Sequence, residues 1–492
     1  MRQKNAEPVI SAIALSIFIF GYAALLLLNR TFLSNPPYGN DITALHRQAI
    51  WLAGHHFDII ALWAPDQTFP EGGANAYPFG LVPYFYGVLY STLPSTTVHL
   101  VGHCLNNAFI VAAFAISFFL IARLTGRLLP AFFWSLAALA DPIIQSRSAG
   151  LGHESLLLLL IMVWLLAIYK RQCRLALALL VLMCFVKMSA LVIFVAFICW
   201  AAVMRKADNR TFGKTNVLAI CGCLLTATLV LYGVTAAMDQ LDFMIPARVL
   251  FNNIQMLHYI MPLTGSAIII ICVAGIIRYQ HLIPAMFHQG QIQIAAKDRF
   301  LLLLVMITGA FWLAFVLYPE PCPRNAAMIS FPMAVFGGVL LGRRQWGHVL
   351  ALFFVVSGLT LSELDIPALP KNVHQRSSDL LERNITFVED MYANLEACDF
   401  VEQYGGIVVS APPPFPYMLS IPEMGYVRSA LRHVSPAGET LSTTEINTVY
   451  IFTDNDFSDS RPPRPEDRIL YWNRINNKAP IYIYNKKQQI SR

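Results

Sequence analysis

Residues 152–170 read GHESLLLLLIMVWLLAIYK, a long apolar run bounded by polar side chains at both ends. A helix needs about 20 mostly apolar residues to cross the ~30 Å hydrocarbon core of a bilayer. The run ends at Lys170 and Arg171, and cationic loops stay on the cytoplasmic side of a membrane. This stretch therefore predicts a membrane-spanning helix whose carboxyl end faces the cytoplasm.

Comparable runs recur through most of the chain, which is 56% hydrophobic and 13% charged with a mean hydropathy of +0.54. These values exceed those of soluble globular proteins and predict an all-α polytopic membrane protein. A segment at 173–203 is too long for one crossing and predicts a hairpin of two short helices turning near Lys187. With it, about eleven crossings are expected. The other predicted spans are 8–28, 98–122, 128–148, 152–169, 215–237, 262–278, 299–318, 326–342 and 346–363.

Basic residues collect in alternate loops, which predicts a cytoplasmic N-terminus and a C-terminus on the outer side. The formal net charge of +6 follows mostly from these loops. Because the basic residues are scattered and form no concentrated stripe, no nucleic-acid partner is expected. The layout is typical of a multi-pass protein of the bacterial inner membrane.

A change in composition near residue 365 divides the chain into two predicted domains. Residues 1–368 form the transmembrane domain and include a polar outer segment at 29–77. Residues 369–492 are polar and predict a small extracytoplasmic α/β domain. Its expected strands lie at 406–409, 449–452 and 481–484, where β-branched and aromatic residues cluster between turns.

Acidic residues at membrane depth are costly and usually functional. Asp41 follows the sequence Pro36-Pro37-Tyr38-Gly39-Asn40 and precedes a helix-like run from Ile42 to Ala53. It is a candidate general base, and it is also a candidate N-cap of that helix. Glu154 opens a strongly apolar helix, where it is either a helix N-terminal charge or a site residue.

Cations near the same predicted outer ends are Lys187, Arg147 and Arg324, which together would suit a lipid-linked phosphate. Lys187 stands out because an ammonium within the turn of a membrane hairpin needs an anionic partner. Two alternatives remain for it: a snorkelling side chain, and a structural ion pair with Glu154 or Asp141. Four histidines, His55, His56, His103 and His153, are interpreted as packing or hydrogen-bonding side chains, so no metal site is predicted.

These residues resemble motifs of the GT-C class of integral-membrane glycosyltransferases, in particular the bacterial branch that uses polyprenyl-phosphate-mannose. The resemblance rests on Gly39-Asn40-Asp41 in a long first outer loop, on Tyr77-Pro78-Phe79-Gly80, on Gly152-His153-Glu154-Ser155-Leu156 and on Phe185-Val186-Lys187-Met188. The resemblance in the order of predicted spans and loops extends over about residues 8–345. The chain departs from the family by having His153 and Glu154 where a Gln/Asn pair is common, and Ser189 where a proline is common.

The resemblance implies a transferase that moves a sugar from a polyprenyl-phosphate donor to a hydroxyl of a lipid, glycan or protein acceptor on the outer face. Asp41 would be the catalytic base of an inverting displacement. Lys187, Arg147 and Arg324 would bind the donor phosphate. The substrate pocket would contain Glu154, His153, Tyr77, Tyr84 and Trp63. No cofactor is assigned, and use of a divalent cation is left open.

Two other functions remain at this point. A transporter or flippase of an anionic lipid or solute would use the same buried cations, although the inverted repeats typical of such proteins are not visible in the sequence. A non-enzymatic envelope assembly protein would explain residues 369–492 but gives Asp41 and Lys187 no role.

Overall fold

A computed structural model describes the chain over residues 2–38, 40–58, 81–187, 189–207, 273, 277, 296–317, 323–363, 387–405, 407–410, 415–432, 448–453, 463–473 and 481–485. The described part is mostly helical, with a few short strands near the C-terminus. This agrees with the expected combination of a helical region and a small region that contains strands.

The helices follow the apolar runs of the sequence. In chain order they are α1 (Arg2–Leu28), α2 (Asn40–Gly54), α3 (Leu81–Thr92), α4 (Ser95–Thr125), α5 (Leu128–Leu139), α6 (Pro142–Ser148), α7 (Glu154–Tyr169), α8 (Cys173–Val186), α9 (Ala190–Ala207), α10 (Ala296–Leu317), α11 (Pro323–Leu341), α12 (Gln345–Glu363), α13 (Phe387–Tyr404) and α14 (Phe415–Ser420). The predicted break near Lys187 is confirmed, because α8 and α9 are separate helices.

Membrane crossings are fewer in the described residues than the eleven expected. Two helical stretches there are long and apolar enough to span a bilayer, Glu7–Leu28 and Ser95–Thr125, and a third span results if α5 and α6 count as one. Helices α5 and α6 meet at 68°, so the apolar run predicted as one span at 128–148 is bent. Helix α7 has 16 residues and α8 has 14, short of the ~20 that a simple crossing needs. The expected spans at 215–237 and 262–278 lie outside the described ranges, apart from residues 273 and 277.

The chain separates into two compact units. The first comprises Met1–Leu25, Asn107–Gln145 and His153–Leu364; the second comprises Leu26–Asn106, Ser146–Gly152 and Asp365–Arg492. The second unit thus combines the outer segment predicted at 29–77 with the C-terminal region. Segments far apart in sequence contribute to each unit, so each is held together by long-range contacts.

Close helix packing defines the first unit. Helix α5 packs against α11 and α12, α7 packs against α8 and α11, and α10 packs against α9 and α11. Trp134 of α5 is fully buried and lies so close to Gly337 of α11 that a Cβ at Gly337 would overlap its ring. Small residues at helix contacts allow such close approach in membrane proteins.

The second unit contains a four-stranded sheet formed by β1 (Ile407–Ser410), β2 (Thr448–Thr453), β3 (Arg468–Asn473) and β4 (Ile481–Asn485). The strand order is β1-β2-β4-β3, with β1 parallel to β2 and the other two pairs antiparallel. The three predicted strands are confirmed as β1, β2 and β4, whereas β3 was not expected from the sequence.

The core of the second unit lies between the sheet, α13 and residues 415–427. Val449, Ile451 and Ile483 come from the strands, and Ala397 and Cys398 come from α13; all five are buried. Three residues of the outer segment, Phe32, Tyr38 and Ile50, pack against the same core. The C-terminal region therefore forms one hydrophobic core together with the segment that precedes and includes α2.

Candidate functional site

Helix α2 carries the candidate base near its amino end. It begins at Asn40, soon after Pro36-Pro37, because the missing N–H groups and fixed φ angles of the prolines disfavour a helix before it. Asp41 is therefore the second helical residue, not the N-cap that the sequence predicts. Its side chain lies outside the described part of the structure. A carboxylate in a first helical turn is favoured by the helix dipole.

Polar side chains of α2 are buried to an unusual extent. Thr43, His46, Arg47 and Gln48 are between 0% and 2% exposed, alongside the apolar Leu45. Buried polar groups need hydrogen-bond partners, because an unsatisfied one costs about 1–3 kcal/mol. The environment of α2 must therefore supply those partners, and for His46 they can be traced.

A directed chain of hydrogen bonds runs through His46. Its Nε2 lies 3.3 Å from the carbonyl oxygen of Leu151, and a carbonyl only accepts, so Nε2 carries the proton. Nδ1 then accepts a bond from the hydroxyl of Tyr90 at 2.8 Å. With its proton donated, the Tyr90 oxygen accepts from Nε2 of His99 at 3.2 Å. Both histidines are neutral in this arrangement, and every hydrogen bond in the series has one donor and one acceptor. The series joins α2 to α3, to α4 and to residues 146–152.

Burial determines the protonation state of His46. Together with a smaller contribution from His99, it lowers the pKa of His46 to about 3. A proton on Nδ1 would also remove the acceptor that Tyr90 uses. His46 is therefore neutral at ordinary pH and acts as a hydrogen-bonding residue that bridges Tyr90 and Leu151.

A cation–π contact joins α2 to the C-terminal region. The Arg47 guanidinium carbon lies 4.3 Å from the centroid of the Tyr417 ring, in α14. Arg47 is 2% exposed, and desolvated contacts of this type are worth about 2 kcal/mol. The contact places a buried positive charge at the sixth position after Asp41.

Arg147, a predicted phosphate ligand, lies in the last turn of α6 and is 3% exposed. Its Nε donates to Ser146 Oγ at 3.5 Å. The Asn106 side-chain amide donates to the carbonyl oxygens of Arg147 and Gly150, each at 2.6 Å. These bonds define the path of residues 146–152, whose Leu151 carbonyl accepts from His46.

Tyr84, expected in the substrate pocket, lies on α3 and is half-buried. Burial and the negative charge of Asp58 raise the pKa of its hydroxyl. Among the residues that the structure describes, this hydroxyl has no hydrogen-bond partner. It is thus a buried hydroxyl that stays neutral at ordinary pH.

In the first unit, three predicted residues come together. The Lys187 Nζ donates to Glu154 Oε1 at 2.9 Å, and His153 Nε2 lies 3.6 Å from the same oxygen. The Glu154 and Lys187 side chains are 3% and 13% exposed. Lys187 has extended backbone angles at the end of α8, and this break directs its side chain to the start of α7. The structural ion pair that the sequence analysis left open for Lys187 is therefore present with Glu154.

Asp141, the other partner considered for Lys187, has a different environment. Its Oδ1 accepts from the backbone N–H of Ile143 at 3.1 Å and caps α6, and its Oδ2 accepts from Ser330 Oγ at 3.2 Å. A capping role with a hydroxyl partner explains why this buried carboxylate lies at the bend between α5 and α6.

The remaining predicted residues are described in part or not at all. Arg324 lies in the first turn of α11, but its side chain is outside the described part, as are Trp63 and Tyr77 entirely. The His103 Nε2 donates to the Asn35 carbonyl oxygen at 3.1 Å, so its interpretation as a hydrogen-bonding side chain is confirmed. Within the described ranges, no three His, Cys, Asp or Glu side chains are placed to hold a metal ion.

The residues that surround α2 are not predicted by the sequence motifs. His46, Tyr90 and His99 received no role, and neither did Tyr426 of the C-terminal region. A signal was present in the spacings Tyr86/Tyr90 and His99/His103, because residues four apart share a helix face. Polar aromatic residues repeated on one face of an otherwise apolar helix indicate a buried hydrogen-bonding surface.

No protein-family profile matches the chain, and no curated protein matches it significantly.

Proposed function

We propose that the protein is a membrane glycosyltransferase of the GT-C type, which transfers a sugar from a polyprenyl-phosphate donor to a hydroxyl acceptor on the outer face of a bacterial inner membrane. The observation that carries the proposal is the Lys187–Glu154 pair at the break between α8 and α9. Ionisable groups among apolar helices are usually functional. Here the ammonium lies where α8 ends before α9 begins, and it contacts the motif that resembles the GT-C family.

In this proposal Lys187 exchanges partners when the donor binds. Glu154 neutralises the ammonium in the free protein, and the donor phosphate replaces the carboxylate in the complex. Arg147 and Arg324 are assigned to the same phosphate from the sequence motifs. A carboxylate is a suitable stand-in for phosphate, since both are oxyanions that accept charge-assisted hydrogen bonds.

The reaction follows from a donor whose leaving group is already an anion. Asp41 accepts the proton of the acceptor hydroxyl while that oxygen attacks the anomeric carbon. The bond between the anomeric carbon and the phosphate oxygen breaks, and polyprenyl phosphate leaves with the electron pair. Cations near the phosphate stabilise the leaving group, and the anomeric configuration inverts. The layout also assigns the N-terminus to the cytoplasm and the C-terminus to the periplasm.

Transfer by the purified full chain in lipid nanodiscs tests the proposal. The probes are radiolabelled polyprenyl-phosphate hexoses and pentoses, with total envelope lipid and glycan extracts as acceptors. We expect a labelled product and free polyprenyl phosphate from the parent, and about 10²–10⁴-fold slower transfer from Asp41→Asn. Asp58→Asn is the matched control on the same outer segment, and it should transfer normally.

Two outcomes contradict the proposal. Near-normal transfer by Asp41→Asn would leave Asp41 as a charge at the helix N-terminus only. Movement of the labelled lipid between leaflets without sugar transfer would favour a transporter.

A further inference from the structure

The Pro-Pro segment (residues 35–38) directly precedes the helix that carries Asp41, and side chains of the C-terminal region bind it at three points. The Tyr426 hydroxyl donates to the carbonyl oxygen of Pro37 at 3.1 Å. The Asn394 amide donates to the Tyr38 hydroxyl at 3.1 Å, and the Tyr392 hydroxyl donates to Asn35 Oδ1 at 3.4 Å. The donors lie more than 350 residues away in the chain.

The Tyr426 bond is the most sheltered of the three. Tyr426 is 4% exposed, and burial, with smaller contributions from Tyr38 and Cys398, raises the pKa of its hydroxyl well above the usual value. The hydroxyl is therefore a permanent donor. Pro37 has no N–H, so its carbonyl is its backbone hydrogen-bonding group, and the bond restrains the chain four residues before Asp41.

Other contacts link the same C-terminal residues to α2 itself. Arg47 lies over the ring of Tyr417, and Ile50 and Tyr38 pack against the core formed by α13, α14 and the sheet. The entrance and the body of α2 thus contact α13, α14 and Tyr426. A helix supported at both places has little freedom to shift along or rotate about its axis.

We propose that Tyr392, Asn394 and Tyr426 position Asp41 for catalysis and that Tyr426 is the principal positioning residue, through the Pro37 carbonyl. This inference rests on the proposed function, in which Asp41 is the base. A general base must lie within hydrogen-bond reach of the proton that it accepts, and a displacement of about 1 Å can lower the rate about 10²-fold. The C-terminal region then completes the site without supplying a reacting group.

Substitution of the hydroxyl in the full chain tests the inference. We expect Tyr426→Phe to lower kcat about 10–100-fold and to leave the KM for the polyprenyl-phosphate sugar within about twofold. A donor KM that is unchanged separates this role from loss of the binding site. Tyr404→Phe is the matched control, because Tyr404 is an exposed tyrosine of α13 whose ring stacks on Phe400; its kinetics should equal those of the parent.

Hydrogen exchange of the backbone amides of residues 40–54 gives a readout that does not depend on activity. Tyr426→Phe should accelerate exchange in this helix at least tenfold, and Tyr404→Phe should not. Should Tyr426→Phe fail to fold, Tyr392→Phe removes the bond to Asn35 from a side chain that is 42% exposed and should accelerate the same amides by a smaller factor.

The failures of the two proposals are distinguishable. Unchanged exchange in residues 40–54 in these variants, or an unchanged kcat in an active enzyme, overturns the positioning role. A parent protein that transfers no sugar overturns the proposed function, while accelerated exchange in Tyr426→Phe would still show that the C-terminal region restrains α2.

Discussion

Lys187 Nζ and Glu154 Oε1 are 2.9 Å apart and connect the end of α8 to the start of α7. Both side chains are largely buried. Such a pair stabilises little relative to apolar side chains of the same size, but loss of one partner is costly because the other charge stays in a place that water does not reach. The pair would therefore suit the proposed site, in which an anionic ligand replaces Glu154 as the partner of Lys187.

Lys187→Met should lower the free energy of unfolding by about 3–5 kcal/mol, because Glu154 loses its ammonium partner. The double variant Lys187→Met with Glu154→Gln should recover most of this loss. Thermal unfolding of both variants in nanodiscs measures the coupling. If the stability losses of the single variants Lys187→Met and Glu154→Gln simply add in the double variant, the two charges do not interact.

Donor binding by the same variants separates the two roles of Lys187. If the ammonium binds the phosphate, Lys187→Met should weaken binding of a polyprenyl-phosphate sugar at least tenfold, and Lys187→Arg should restore it in part, since a planar guanidinium differs from a compact ammonium. Glu154→Gln should bind the donor more tightly, because the competing carboxylate charge is removed. Unchanged donor affinity in Lys187→Met would assign Lys187 to structure alone.

Stability should fall in acid because of His46. Its pKa is about 3 in the folded protein and about 6.5 in an unfolded chain. Because the folded pKa is the lower one, the unfolded state binds more protons between these values, and the free energy of unfolding decreases as pH falls from 6.5 to 3 by up to about 1.4 kcal/mol per pH unit. Denaturant unfolding across this range measures the slope.

A matched pair of variants tests whether His46 causes this pH dependence of the free energy of unfolding. His46→Gln removes one titrating ring and should reduce the pH dependence by the contribution of that ring, up to about 1.4 kcal/mol per pH unit, while lowering stability at neutral pH. His55→Gln replaces an exposed histidine at the end of the same helix and should keep the parent slope. A parent slope in His46→Gln would mean that other groups produce it.

Gly337→Ala should destabilise the first unit, because its Cβ would overlap the buried Trp134 ring. Insertion of a methyl into a close-packed core costs about 1–3 kcal/mol. Gly309→Ala is the control, since within the described ranges no heavy atom outside its own helix backbone lies within 4 Å of a Cβ there, and alanine is the better helix former. A difference in melting temperature between the two variants checks this, and equal values would contradict the packing of α5 on α11.

Topology can be measured with a membrane-impermeant thiol reagent. Asp58→Cys and Glu466→Cys introduce thiols at exposed positions of the second unit, and we expect both to react in intact cells. Arg171→Cys, in a predicted cytoplasmic loop, should react beyond the parent level only after permeabilisation. Labelling of Glu466→Cys only in permeabilised cells would place the C-terminal region inside and change the number of crossings by one.

Local patterns predict several elements well. The apolar run predicted at 98–122 lies within Ser95–Thr125, and the break expected near Lys187 separates α8 from α9. The alternation in Ile481-Tyr482-Ile483-Tyr484 predicts strand β4. These elements depend on side-chain periodicity and on chain-breaking residues, which neighbouring positions in the sequence display directly.

Burial and polar pairing follow a different rule. Helix α2 contains both polar and apolar residues, and its polar residues Thr43, His46 and Gln48 are buried. The partners that permit this are distant: Leu151 lies 105 residues after His46, and Tyr426 lies 389 residues after Pro37. Lys187 likewise requires an anion on sequence grounds, and Glu154 meets that need. A buried polar group can take any partner with the right chemistry, and packing of the whole chain selects which one comes within hydrogen-bond distance.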